Sequence, residues 1–161
     1  MNNIEHIIHF NGNPYILEWK KSKYEEVKIN ENKIIFKCLK YDQQLFRTLL
    51  RRFFKNEVEK ELTKLMYDAQ NDFKEIEFPT IKVGYMVNKH GYYRKKDNFI
   101  KLSSNLARYD FKFIKVVLYH ELSHVFQFNH SPAFYTVFES KYLEGPALDR
   151  IYNTIKYNDY I

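Results

Sequence analysis

The chain is poor in the residues and patterns that mark several protein classes. Among 161 residues there is a single cysteine, Cys38. A lone thiol excludes a disulfide framework and a cysteine-built metal cluster, and it fits a reducing interior. No run of about eighteen apolar residues is present, so no helical membrane span is expected. Nothing reads as a signal peptide or a lipidation motif, and no internal repeat is visible. These absences predict a cytoplasmic protein without a membrane partner. What is there suffices for a core: 45% of the residues are apolar and 18% aromatic, at a length that suits one domain. The formal net charge is +6, which keeps nucleic acid among the candidate partners.

The densest chemistry lies in His120-Glu121-Leu122-Ser123-His124, with His130 shortly after. Two histidines four apart on a helix share one face, about a turn apart, so both imidazoles can meet one metal ion at about 2 Å. Glu121 sits one position round the helix, within reach of a water on that metal without ligating it. The run from Phe111 to Tyr119 before the motif, continued by Leu122, Val125, Phe126 and Phe128, is apolar almost all round and belongs in a core. His, Glu and His in such a helix need partners, because unpaired buried polar groups cost several kcal/mol. Core histidines satisfied by hydrogen bonds would be one answer; a metal accounts for all three residues at once. Asn129 reads as a left-handed helix end and Ser131-Pro132 as the cap and first residue of a new helix, so the chain turns at His130 and can return that imidazole to the metal. Three protein ligands with an open fourth position is the catalytic arrangement of zinc, whereas structural sites close all four.

The third ligand has rivals. Zinc hydrolases with a glutamate ligand place it well downstream of the second histidine, where Glu144 falls, with Glu139 behind it. The histidine spacing also fits metzincins, but Gln127 stands where they have glycine, and no methionine follows the motif. The better resemblance is to the YgjP-like metallopeptidases, relatives of the SprT-like and Wss-type (WLM) proteases. Their pattern of apolar residues, His-Glu-Leu-x-His, a short gap and Asn-His-Ser-x-x-Phe is matched by Val116 to His124 and by Asn129-His130-Ser131-Pro132-Ala133-Phe134. Upstream, Lys82-Val83-Gly84-Tyr85-Met86 stands in place of the family's Arg-Trp-Gly segment, and Leu102-Ser103-Ser104-Asn105-Leu106 resembles its strand end. The resemblance spans roughly Leu45 to Leu148. It implies His120, His124 and His130 as zinc ligands, Glu121 as catalytic base and a zincin-like domain.

The rest of the chain reads as an α+β fold. Residues 1–40 are β-rich: Ile4, Ile7 and Ile8 offer a first helix or strand, and Tyr15 to Trp19, Tyr24 to Ile29 and Ile34 to Phe36 form a small antiparallel unit with a turn at Asn30–Lys33. His6 and His9 read as surface or packing residues. A helical stripe over 42–74 carries Leu45, Leu49, Phe53, Val58, Leu62, Leu65, Met66 and Ala69, with Asp42 as its cap. Arg47, Arg51, Arg52 and Lys55 on it read as a solvated face. Residues 79–105 are expected as antiparallel strands, with Thr80–Val87 turned at Asn88–Gly91. The active-site helix covers 111–128, capped by Asp110, and C-terminal helices over 132–157, broken at Glu144-Gly145-Pro146, cover it.

These residues lead us to expect a zinc peptidase acting on peptide or protein substrates through a zinc-activated water, with Glu121 as general base. Tyr135 and Tyr142 are candidates to stabilise the oxyanion, and Glu139 and Asp149 to orient the histidines. The rival reading is a nucleic-acid-binding or interaction module that keeps a structural or relic zinc site, or a DNA-associated protease like the SprT-like and Wss-type relatives. Its support is the segment His90–Lys101, where Tyr92 and Tyr93 alternate with Arg94, Lys95, Lys96 and Lys101.

Overall fold

Ile34-Ile35-Phe36 is the most apolar short run of the N-terminal part, and the first sheet is arranged to bury it. The computed structural model describes residues 6–157, so Ile4 lies outside the described residues. Strands β1 (Ile7–Phe10), β2 (Asn13–Lys21), β3 (Glu26–Asn30) and β4 (Lys33–Cys38) lie in the order β1-β2-β4-β3. Turns at Asn11-Gly12 and Glu31-Asn32, with Asn11, Gly12 and Glu31 at positive φ, close two antiparallel hairpins. Between the hairpins, β2 and β4 run parallel, so the sheet is mixed and not the antiparallel unit expected. The reason is burial. Ile34, Ile35 and Phe36 are buried on both faces and need a central strand, while β3, alternating half-buried and exposed residues, takes the edge.

Helix α1 (Gln43–Asp72) starts where Asp42 predicts: its Oδ1 accepts from the Gln44 and Leu45 amides. Phe46, Leu49, Leu50, Phe54, Val58, Leu62 and Ala69 are buried along it. Its last turn is pinned from two sides. The Tyr119 hydroxyl donates to the Asp72 carboxylate, and Lys141 Nζ donates to the Asp72 carbonyl and to Glu75.

The second sheet also departs from expectation. Strands β5 (Thr80–Gly84), β6 (Gly91–Arg94) and β7 (Phe99–Ser103) lie in the order β5-β7-β6; β5 is parallel to β7 and only β6 is antiparallel. The hairpin turn is Lys95–Asn98, where Asn98 is left-handed and Arg94 clasps Asp97 through two 2.7 Å bonds. β5 stops at Gly84, short of Val87, and crosses over through residues 85–90. The Thr80 amide donates to the Asn98 carbonyl at the start of β5, and the Ser103 amide to the His90 carbonyl, which ties the far end of the crossover to β7. Gly91 is therefore not a turn glycine. A Cβ there would stand 3.1 Å from Val117 Cγ1 and 3.2 Å from Glu121 Cγ, so its bareness lets β6 lie against the next helix.

That helix, α2 (Lys112–Ser123), has Phe111 and not the expected Asp110 at its cap position; Asp110 stands one residue earlier and accepts from the Lys112 amide through Oδ1. Its side chains from Phe113 to Leu122 are buried except Lys115 and His120. It ends at Ser123 and not at 128: the amides of His124, Val125 and Phe126 reach back three residues instead of four, and Ser123 Oγ donates to the Tyr119 carbonyl. Asn129 is not left-handed, the positive-φ non-glycine residues being Asn11, Glu31, Asn88 and Asn98. Ser131 and Pro132 do open α3 (Pro132–Lys141), and α4 (Gly145–Thr154) follows the Glu144-Gly145-Pro146 break. Apart from Ile35, the buried apolar residues form one connected core from Ile8 to Tyr152. Among the described residues no helix is long and apolar enough to cross a membrane.

Candidate metal centre

Three imidazoles come from three local structures. His120 lies on the last turn of α2, His124 is its C-cap residue, and His130 stands just before the cap of α3. Their ligand atoms all lie within 4.8 Å of one another, and Nε2 of His120 is 2.9 Å from Nε2 of His130. The early end of α2 brings this about: the irregular segment 124–131 folds back far enough to aim His130 at its own helix. Beneath the cluster, fully buried Phe134 meets all three rings, stacking on His124 at 4.5 Å and standing edge-on to His120 and His130.

Each helical imidazole is oriented from behind. The Asp149 carboxylate of α4 lies 3.3 Å from His120 Nδ1, and the Gln127 carbonyl 3.1 Å from His124 Nδ1. An acceptor at Nδ1 favours the proton there and leaves Nε2 free as a ligand. Burial lowers the pKa of His124 to about 4 and depresses that of His130, which keeps these imidazoles neutral near pH 7, the state a metal needs. The donor set fits a borderline cation with a preference for nitrogen, and poorly fits calcium or magnesium.

Glu121 is 7% exposed and opens on a cavity of about 690 Å³. Burial raises its pKa to about 7, with His120 and Lys89 pulling down and Asp149 pushing up. The cavity walls are β6, the crossover 85–90 and α4; His90, Gly91, Tyr92, Phe128, Tyr135 and Tyr152 line it. Phe128 stays 65% exposed at the rim beside His124.

Several sequence-predicted residues are brought together here and others are not. Asp149, and not Glu139, meets a histidine; Glu139 and Glu144 are exposed and do not line the cavity. Tyr135 lines the cavity, while Tyr142 packs on Tyr119 under Lys115. His9 stacks on Tyr157. Among the described residues no other trio of His, Cys, Asp or Glu is placed to hold a metal. His90, Gly91, Gln127 and Tyr152 had no assigned role at this site from sequence. A single His-Gly pair ahead of a tyrosine-rich strand was the one signal, and it was read as a turn.

A family model described as YgjP-like, metallopeptidase domain, matches residues 2–144. The match ends before α4, which contributes Asp149 and Tyr152 to the cavity. No curated protein and no solved structure matches the chain.

Proposed function

The chain belongs to the YgjP-like metallopeptidase family, and from that premise we propose that it is a zinc-dependent peptidase in which His120, His124 and His130 hold the metal and Glu121 is the general base. The observation that carries this reading is the convergence of three imidazoles within 4.8 Å beside a buried carboxylate on the same helix. A zinc ion held there supplies a Lewis acid that acidifies water and polarises a carbonyl. Glu121, lifted by burial toward the working pH, takes a proton from the attacking water at its carboxylate and returns it to the departing amine nitrogen. Asp149 and the Gln127 carbonyl keep His120 and His124 in the ligating tautomer.

The substrate is a polypeptide in extended form. Among the described residues β6 is paired on one side only, and it lines the cavity through Gly91, Tyr92 and Tyr93, so a peptide can add to its outer edge with its scissile carbonyl beside the water that Glu121 deprotonates. The exposed ring of Phe128 offers that peptide an apolar contact at the rim. For the nucleic-acid alternative, Arg94 of the basic segment is already paired with Asp97 through Nε and one Nη.

Glu121→Gln tests the reading. The variant should keep its fold and one zinc per chain but lose cleavage of unfolded protein by about 10²–10⁴-fold, the usual cost of a lost general base. Cleavage at the wild-type rate would remove Glu121 from the chemistry. Loss of zinc in Glu144→Ala with zinc retained in His130→Ala would reassign the third ligand.

A further inference from the structure

His90 closes the crossover between β5 and β6 and lies between the Glu121 cavity and a second one, next to Gly91, where an added Cβ would stand 3.2 Å from Glu121 Cγ. Its ring is held edge-on between Tyr152, at 4.6 Å, and Tyr109, at 5.5 Å. Its backbone carbonyl is tied to the Ser103 amide at 2.9 Å, so the residue cannot drift from the sheet. Of its two ring nitrogens, Nδ1 is sealed from solvent with no hydrogen-bond partner among the described residues, and Nε2 does not share that state.

That asymmetry fixes where the proton goes. A neutral imidazole carries one N–H, and burying an unpaired N–H is costly. Placing the proton on Nε2 keeps an unpaired N–H out of the dry interior and leaves only a bare lone pair there. Resting on the zinc-peptidase reading, we propose that His90 is a further catalytic residue, a neutral Nε2–H donor fixed on the cleft wall to hydrogen-bond the carbonyl oxygen of the scissile peptide as negative charge gathers on it. The donor is preorganised by two aromatic walls and a pinned backbone, which is the condition under which such a bond favours the transition state over the bound substrate. No proton is transferred; the bond shortens as the oxygen gains charge and relaxes when the carbonyl reforms.

The test uses the full chain loaded with zinc, casein as an unfolded substrate and a phosphinic pseudopeptide as a mimic of the tetrahedral species. His90→Ala should keep one zinc per chain and lower kcat about 10²-fold with KM changed by less than about threefold. Affinity for the pseudopeptide should fall by a factor similar to that in kcat/KM, and His90→Gln, which retains an N–H, should recover part of both. In the unsubstituted protein, ¹⁵N NMR of the His90 ring should place the proton on Nε2, a readout that needs neither activity nor a stable variant. A proton on Nδ1, or a His90→Ala variant within about threefold of full kcat, overturns the inference. Zinc-loaded wild type that cleaves nothing fails at an earlier step: it removes the peptidase reading and this inference with it.

Discussion

Burying Glu121 next to the imidazoles has a cost that shows when the metal is absent. Its carboxyl holds a proton up to about pH 7 in the folded chain, whereas an ordinary glutamate releases it near 4.5. Between those values the folded state binds more protons than the unfolded state, so stability falls as pH rises across the window. By the usual 1.36 kcal/mol per pKa unit, the loss has an upper bound of about 3 kcal/mol. Metal-free Glu121→Gln lacks this titration. Its advantage over metal-free wild type should be smallest near pH 4.5 and grow toward pH 8, measured as the difference in denaturant midpoints. His124 titrates in the opposite sense, its pKa lying low at about 4 in the folded chain, but it is present in both proteins and cancels in the comparison. A difference that stays flat with pH would mean that Glu121 is solvated when the metal is gone.

At the scale of elements, the site depends on how closely β6 approaches α2, and Gly91 sets that distance. In Gly91→Ala the new methyl would stand 3.1 Å from Val117 Cγ1 and 3.2 Å from both Glu121 Cγ and the Lys101 carbonyl, so the strand or the helix has to give. The variant should lose about 1–3 kcal/mol in denaturant unfolding, and cleavage should drop while zinc content holds, since no ligand is touched. Unchanged stability and activity would show that the strand yields freely. Sequence did not reveal this role, because a glycine before a strand looks the same whether it turns the chain or makes room for a neighbour. The parallel pairings β2–β4 and β5–β7 escaped for a related reason: alternation tells which face a residue occupies and not which strand lies beside it. What depends on a few neighbouring residues was legible, namely the Asp42 cap, the Ser131-Pro132 start and the His-Glu-x-x-His face. Asp149 was one of two acidic candidates, and only the packing of α4 against α2 chooses between them.

Across the whole molecule, the three histidines stand outside the buried core and meet it through Phe134 and Phe138. The largest buried side chains, among them Phe36, Leu50, Phe54, Ile100 and Leu106, join the two sheets to α1 without any contribution from the three histidines. His120 hangs from the last turn of a helix that the core already fixes, while His124 and His130 bracket a segment with no regular structure. A small zinc module whose only core is its metal unfolds when the ion is withdrawn. This chain should not. Chelation should abolish cleavage and lower Tm without collapsing the fold, and hydrogen exchange should show where the loss falls. Amides of residues 124–131 should exchange faster, because in the proposed site a metal would tie His130 back to α2, while those of α1 and β4 keep their protection. If chelation instead unfolds α1 and β4 together with the histidine segment, the ion holds up the fold and the structural-zinc alternative gains. Retained protection in the core with lost cleavage assigns the metal to chemistry, because an ion that the fold can spare is held for the water and carbonyl it acts on.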